Sequence, residues 1–160
     1  MAAAVSDPVR EFEHKHEHLT GLALEAGRLL RDAPSEQMGQ DSLRRLRACL
    51  KSLRDELLRH FAVEEEGLFP FIRASLPAKV GHVEKLAVAH DAICGAMVRL
   101  AHAAEAGRAG EGGVTLVSLY ERFDKAYALH SREEADLFYA LGLALDAGQR
   151  AQLAELLRGL

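Results

Sequence analysis

Leu57-Leu58-Arg59-His60-Phe61-Ala62-Val63-Glu64-Glu65-Glu66-Gly67-Leu68-Phe69-Pro70 is the stretch from which the fold and the chemistry are both read. Upstream of it leucines recur at helical spacing: Leu43, Leu46, Leu50, Leu53 and Leu57. Steps of three and four keep these side chains on one helix face, the face that packs into a core. The same steps continued from Leu57 land on His60 and Glu64. An apolar seam therefore runs into two metal-type ligands on its buried side. The spacing predicts a helix from about Ser42 to about Phe69. Pro70 is expected to stop it, because proline lacks the N–H needed by the ladder.

The flanking segments follow the same pattern. Asp7-Pro8 suits a helix start, with Asp as cap and Pro in the first turn. Val9, Phe12, Leu19, Leu22, Ala23, Ala26 and Leu30 form the first stripe, ending near Arg31, and His16 fills its gap. Asp32 to Asp41 holds Pro34, Ser35 and Gly39 and reads as a connection. Ser75-Leu76-Pro77 re-initiates helix, whose stripe of Val83, Leu86, Ile93, Met97 and Leu100 admits His90. Glu105 to Gly113 reads as a surface loop. The fourth stripe, Leu116, Leu119, Phe123, Ala126, Leu137 and Leu141, takes in His130 and Glu134. Asp146 with Gln149 resembles a capping box that opens a short helix through Leu153, Leu156 and Leu157. No strand pattern is present. The expectation is an all-α fold: an up-down-up-down antiparallel four-helix bundle with a short C-terminal helix, residues 1–160 making one domain.

Composition narrows the function. The 160 residues are 49% hydrophobic with net charge -4, enough for a real core without staples. Acids and bases are interspersed, and no basic stripe with interleaved aromatics suggests a nucleic-acid partner. No apolar run is long enough to span a bilayer, and Met1 to Arg10 has no signal-peptide core. A cytoplasmic protein is the expectation. Cys49 and Cys94 fit no CxxC pattern and read as partly buried thiols.

The chemistry lies in the polar residues of the stripes. Residues four apart share one helix face about a turn apart, so a His and a Glu at that spacing can bind one metal ion or two adjacent ones. The chain has this pair twice, His60/Glu64 and His130/Glu134, and a core histidine on each remaining helix, His16 and His90. A short internal repeat relates the halves: His16-Glu17-His18-Leu19-Thr20-Gly21 matches His90-Asp91-Ala92-Ile93-Cys94-Gly95. A lone histidine on an apolar face is ordinarily a hydrogen-bonded core residue. Six polar groups are different, because each costs roughly 1–3 kcal/mol when buried without a partner, against a total stability of ~5–15 kcal/mol. They form either a dry hydrogen-bonded network or a metal site, and a metal answers the cost for all six together. Imidazoles and carboxylates suit iron, with zinc, manganese or copper as alternatives, and two Glu with four His make a dinuclear set. His14 and His18 flank His16 off the stripe and read as surface residues, with outer-shell support or replacement of His16 as a ligand as their alternative roles. Glu65, Glu66 and Glu133 read as a solvated flank, with support of the ligands as their alternative role. His82 lies about 12 Å along the helix from His90, too far to share its ion. His102 faces solvent, and Tyr127 serves packing. No HExxH is present. The Glu-x-x-His motif that ferritin-like bundles carry on each of two helices occurs only on the first helix.

These residues resemble the hemerythrin-like family, the HHE cation-binding domains. His60-x-x-x-Glu64-Glu65-x-x-Leu68-Phe69-Pro70 is similar to the second-helix motif of the family. His130-x-x-x-Glu134 with Phe138-Tyr139 is similar to the fourth-helix motif without its proline, and His90-Asp91-x-Ile93 to the third. The resemblance covers Val9 to Leu145. It implies a four-helix bundle with a non-haem di-iron centre, two iron ions bridged by an oxo or hydroxo group. It implies terminal ligands at His16, His60, His90 and His130 and bridging carboxylates at Glu64 and Glu134. Family members bind dioxygen or nitric oxide, sense oxygen or iron, or handle iron for cluster repair. Oxygen carriers of the family have two histidines four apart on the third helix, whereas this chain has Leu86 and Cys94 around His90. Its fourth-helix acid is a Glu four after the histidine, not an Asp five after it. One imidazole fewer implies a more open coordination sphere. The expected function is a di-iron protein that binds dioxygen or nitric oxide or senses oxygen or iron, acting with an unknown protein partner. The alternatives are a redox enzyme acting on peroxide or nitric oxide, iron handling, and a metal-free interaction module.

Overall fold

A computed structural model describes residues 7–32, 38–107 and 115–160. Half of the connection before the second helix and most of the loop expected after Glu105 lie outside them. The described residues are almost entirely helical, with no strand among them. Helix α1 spans Pro8–Asp32 and α2 Gln40–Val63. A π-helical turn, Glu64–Leu68, leads into α3, Phe69–Ser75. A 3₁₀ turn at Pro77–Lys79 precedes α4, Val80–Glu105. Helices α5, Leu116–Ala144, and α6, Ala147–Arg158, complete the order.

The expected stop at Pro70 does not occur. The backbone stays right-handed helical from Gln40 to Ser75, and the Phe69 N–H donates to the Glu64 carbonyl five residues back. Proline breaks a helix through its missing N–H and a clash with the carbonyl four residues back. A π turn widens the ladder by one residue. Immediately before Pro70 it relieves that clash and places the ring in the first turn of α3, where proline is tolerated.

The ends of the elements are fixed by side chains. Asp7 accepts from the Val9 N–H at 3.1 Å, and Arg150 donates from Nη1 to both Asp7 oxygens at 2.9 Å, tying the start of α6 to the start of α1. Thr115 caps α5 by accepting from the Ser118 N–H. Asp146 and Gln149 exchange bonds in the expected capping box. Arg47 donates to the Ala104 and Glu105 carbonyls, satisfying the last turn of α4 with a positive charge at its negative end. Gly107 follows in the left-handed region, φ 66°.

Helices α1, α2, α4 and α5 pack in a closed cycle, each on the next and α5 back on α1. Along α1 and α5 the contacts run in opposite order: His16 meets Glu134, Thr20 meets Tyr127, and Ala23 meets Tyr120. The interior has two apolar clusters. One holds Leu46, Leu50, Leu53 and Leu57 with Ile93, Leu100 and Phe123. The other holds Val9, Phe12, Leu68, Phe69, Leu86 and Leu137 with Leu153 of α6. Full burial of each such side chain stabilises by about 1.5–3 kcal/mol. On all four long helices the sequence passes from one cluster to the other through the polar residues His16, His60 with Glu64, His90, and His130 with Glu134. The polar layer lies between two hydrophobic ones.

Candidate metal centre

All six residues singled out by the stripes converge. His60, Glu64, His90, His130 and Glu134 are buried, Glu64 completely, and the His16 side chain is 13% exposed. Glu64 extends Oε1 to His60 Nε2 at 3.0 Å and Oε2 to His90 Nε2 at 3.1 Å. Glu134 extends Oε1 to His60 Nε2 at 3.2 Å, and Oε2 to His16 Nε2 at 2.8 Å and His130 Nε2 at 3.5 Å. Each carboxylate thus faces different histidines with its two oxygens. Two groups draw their ligand atoms within 4.8 Å of one another: His60, Glu64 and Glu134, and Glu64, His90 and His130. Glu64 belongs to both.

Closeness here is not hydrogen bonding. His16 Nε2, both Glu64 oxygens, His90 Nε2, His130 Nε2 and Glu134 Oε2 are buried and make no hydrogen bond, although each has a neighbour at 3.5 Å or less. His60 Nε2 with Glu134 Oε1 is the pair among them with hydrogen-bond geometry. Buried polar atoms without partners are rare and costly. Here they are concentrated in one layer, close to one another without hydrogen-bond geometry. The chemistry of imidazoles and carboxylates in that arrangement fits a metal ion, which the two His/Glu groups could hold.

The model of the hemerythrin HHE cation-binding domain matches residues 7–142. The chain belongs to this family. No curated protein and no solved structure matches it. For a hemerythrin-family domain, the two His/Glu groups are the parts that could hold the cation.

The charges in this hemerythrin-type centre are strongly coupled. Burial pushes the Glu64 carboxyl well above its ordinary range, and the Glu134 charge adds to the effect. Burial also acts against the Glu134 charge, but contacts from Glu64, His16 and His60 outweigh it and hold that carboxyl well below the usual range. Without a cation, the proton of the pair therefore resides on Glu64. Burial lowers His130 to about 4, so it is a neutral imidazole. For His90 burial is opposed by Glu64 and Glu65, which raise it overall.

Sequence reasoning placed Glu65 on a solvated flank, and the structure assigns it the alternative. Its Oε1 accepts from His90 Nδ1 at 2.6 Å. A carboxylate on the outer nitrogen fixes the tautomer that leaves Nε2 free to ligate. The signal was present in the adjacent acids Glu64-Glu65. An ideal α-helix, however, turns consecutive residues about 100° apart, and the π turn beginning at Glu64 is not visible in hydrophobic spacing. Aromatic rings complete the walls. Phe61 stacks on His90 with centroids 3.7 Å apart, and Phe69 lies parallel to it at 5.6 Å. Phe12 packs against His60 and Phe138 against His16, so the layer is screened from water on the α3 and α6 side.

The other polar candidates fall outside the centre. His82 contacts the Glu133 carbonyl at 2.7 Å, away from the ligands, as the spacing indicated. His102 is exposed. Tyr127 is buried against the His16 ring and shares a hydrogen bond with Thr20 at 3.3 Å. Cys49 and Cys94 are free, half-buried thiols that burial pushes up in pKa.

Proposed function

We propose that the chain is a single-domain, non-haem di-iron protein that binds dioxygen or nitric oxide and reports oxygen or iron status to a protein partner. In this reading the four long helices form an up-down-up-down antiparallel bundle. His16, His60, His90 and His130 are terminal ligands, and Glu64 and Glu134 bridge. The observation that carries the reading is the split of both carboxylates, each presenting its two oxygens to different histidines, within a layer where most of the buried polar atoms make no hydrogen bond. Zinc or manganese would use the same donors, but a mixed imidazole–carboxylate set suits iron.

Iron bound there would supply redox activity and affinity for a diatomic ligand. The chain's own residues do the rest. His16, His60, His90, His130, Glu64 and Glu134 would hold the ions, and a site with few imidazoles would admit a small ligand. Glu64 and Glu134 would supply negative charge to offset that of the ions in a buried layer. Glu65 holds His90 in its ligating tautomer. Phe61 and Phe69 fix the plane of that ring.

The test is anaerobic exposure of the ferrous protein to nitric oxide, and separately to dioxygen, followed by absorption. A stoichiometric, saturable spectral change per iron pair is expected. An iron-loaded protein whose spectrum ignores both gases contradicts the reading. Sustained consumption of peroxide or nitric oxide with an external reductant would mark an enzyme instead.

A further inference from the structure

The alternating run His14-Lys15-His16-Glu17-His18 carries three histidines, and the centre uses one. His14 and His18 remain, four apart on α1, one turn of helix along the same face. They are not core residues; His14 is 87% exposed. Both line a cavity of about 620 Å³ between α1 and α2, and His60 lines the same cavity. One space is therefore lined by two surface imidazoles one helical turn apart and by His60 of the buried centre.

We infer that His14 and His18 form an auxiliary divalent-metal site at the mouth of this groove, from which metal passes to the centre by way of His60. The proposal rests on the metal-centre reading for its second half only; the site itself is independent of it. Two imidazoles one turn apart on a helix bind a borderline divalent ion such as zinc or ferrous iron through nitrogen lone pairs. Glu17 lies 3.8 Å from His14. The fixed charges of the groove balance: Lys15 and Arg59 against Glu17 and Glu56, with Arg59 held 3.4 Å from Glu56. An entering cation thus meets no net repulsion between the surface and His60. Two exposed histidines bind weakly and release readily, which suits a relay rather than a store.

Two measurements test this. Zn(II) is titrated, with a colorimetric chelator in competition, into iron-loaded protein and into a Glu64→Ala/His130→Ala variant whose centre is disabled. One further Zn(II) equivalent is expected in each, and its loss in His14→Gln/His18→Gln, exposed changes that leave helicity by circular dichroism intact. Should the centre variant not fold, the iron-loaded protein gives the same comparison. Fe(II) uptake by metal-free protein is then followed by stopped flow. The His14→Gln/His18→Gln protein should reach the same final iron content with a lower second-order uptake rate. No histidine-dependent Zn(II) equivalent overturns the site, and an unchanged uptake rate overturns the relay. Failure of the centre reading shows differently, as wild-type protein that takes up no iron while the histidine-dependent Zn(II) equivalent persists.

Discussion

Glu64 and Glu65 are neighbours in sequence with separate tasks. Glu64 is fully buried and faces two histidines, whereas Glu65 is half exposed and supports one of them from outside. Removing the outer support should weaken the centre without unfolding it. Glu65→Gln is expected to lower iron affinity about 10–100-fold, read by chelator competition, with the thermal transition of the metal-free protein unchanged. Equal affinity would remove Glu65 from the centre. Tyr120 carries a second residue-scale prediction. Burial, with Asp124 nearby, raises its hydroxyl to about 12, and it donates to the Ala23 carbonyl at 2.9 Å. Above pH 10 the unfolded chain ionises this tyrosine while the folded one keeps the proton. The folded state then binds more protons, so stability falls as pH rises from 10 to 12. Tyr120→Phe should flatten that decline in denaturant midpoints measured between pH 9 and 12, although it removes a hydrogen bond at neutral pH.

The elements explain which features were readable beforehand. Leucines at 46, 50, 53 and 57 are all buried, as their spacing required, and the same spacing carried the reading to His60 and Glu64. Apolar periodicity reports which face is inside. It does not report a single widened turn, so the π turn, the continuation through Pro70 and the reach of Glu65 to His90 were not legible. Close approaches between elements were also hidden. A Cβ at Gly27 would lie 2.4 Å from the Tyr120 hydroxyl, and one at Gly67 would lie 2.7 Å from a Leu160 methyl. Glycine is needed in α1 because Tyr120 of α5 packs directly on its backbone. Gly27→Ala should displace that ring and destabilise by about 1–3 kcal/mol, the range for overpacking. Gly67→Ala meets the free ends of leucine side chains and should cost less. Urea unfolding of the two variants compares them directly, and equal losses would contradict this ranking.

Across the whole molecule, two hydrophobic clusters enclose one polar layer, and the layer is the least favourable part of the metal-free fold. Its coupled carboxylates and unpartnered imidazoles are tolerated because leucines and phenylalanines above and below supply the burial. Any ion that binds only the folded chain must then stabilise it. At a hundredfold excess over its dissociation constant the gain is about 2.7 kcal/mol, on the order of 5–10 °C in the melting transition for a chain this size. Removing metal with a chelator should reverse that shift. Among the described residues, this layer is where the interior groups that could hold a metal lie. The most direct measurement is metal analysis of the protein purified without added metal, beside its His60→Ala/Glu64→Ala counterpart. The account predicts two irons per chain, nearly all lost in the variant. A well-folded protein that carries no metal, or keeps its metal when both residues are replaced, would contradict it.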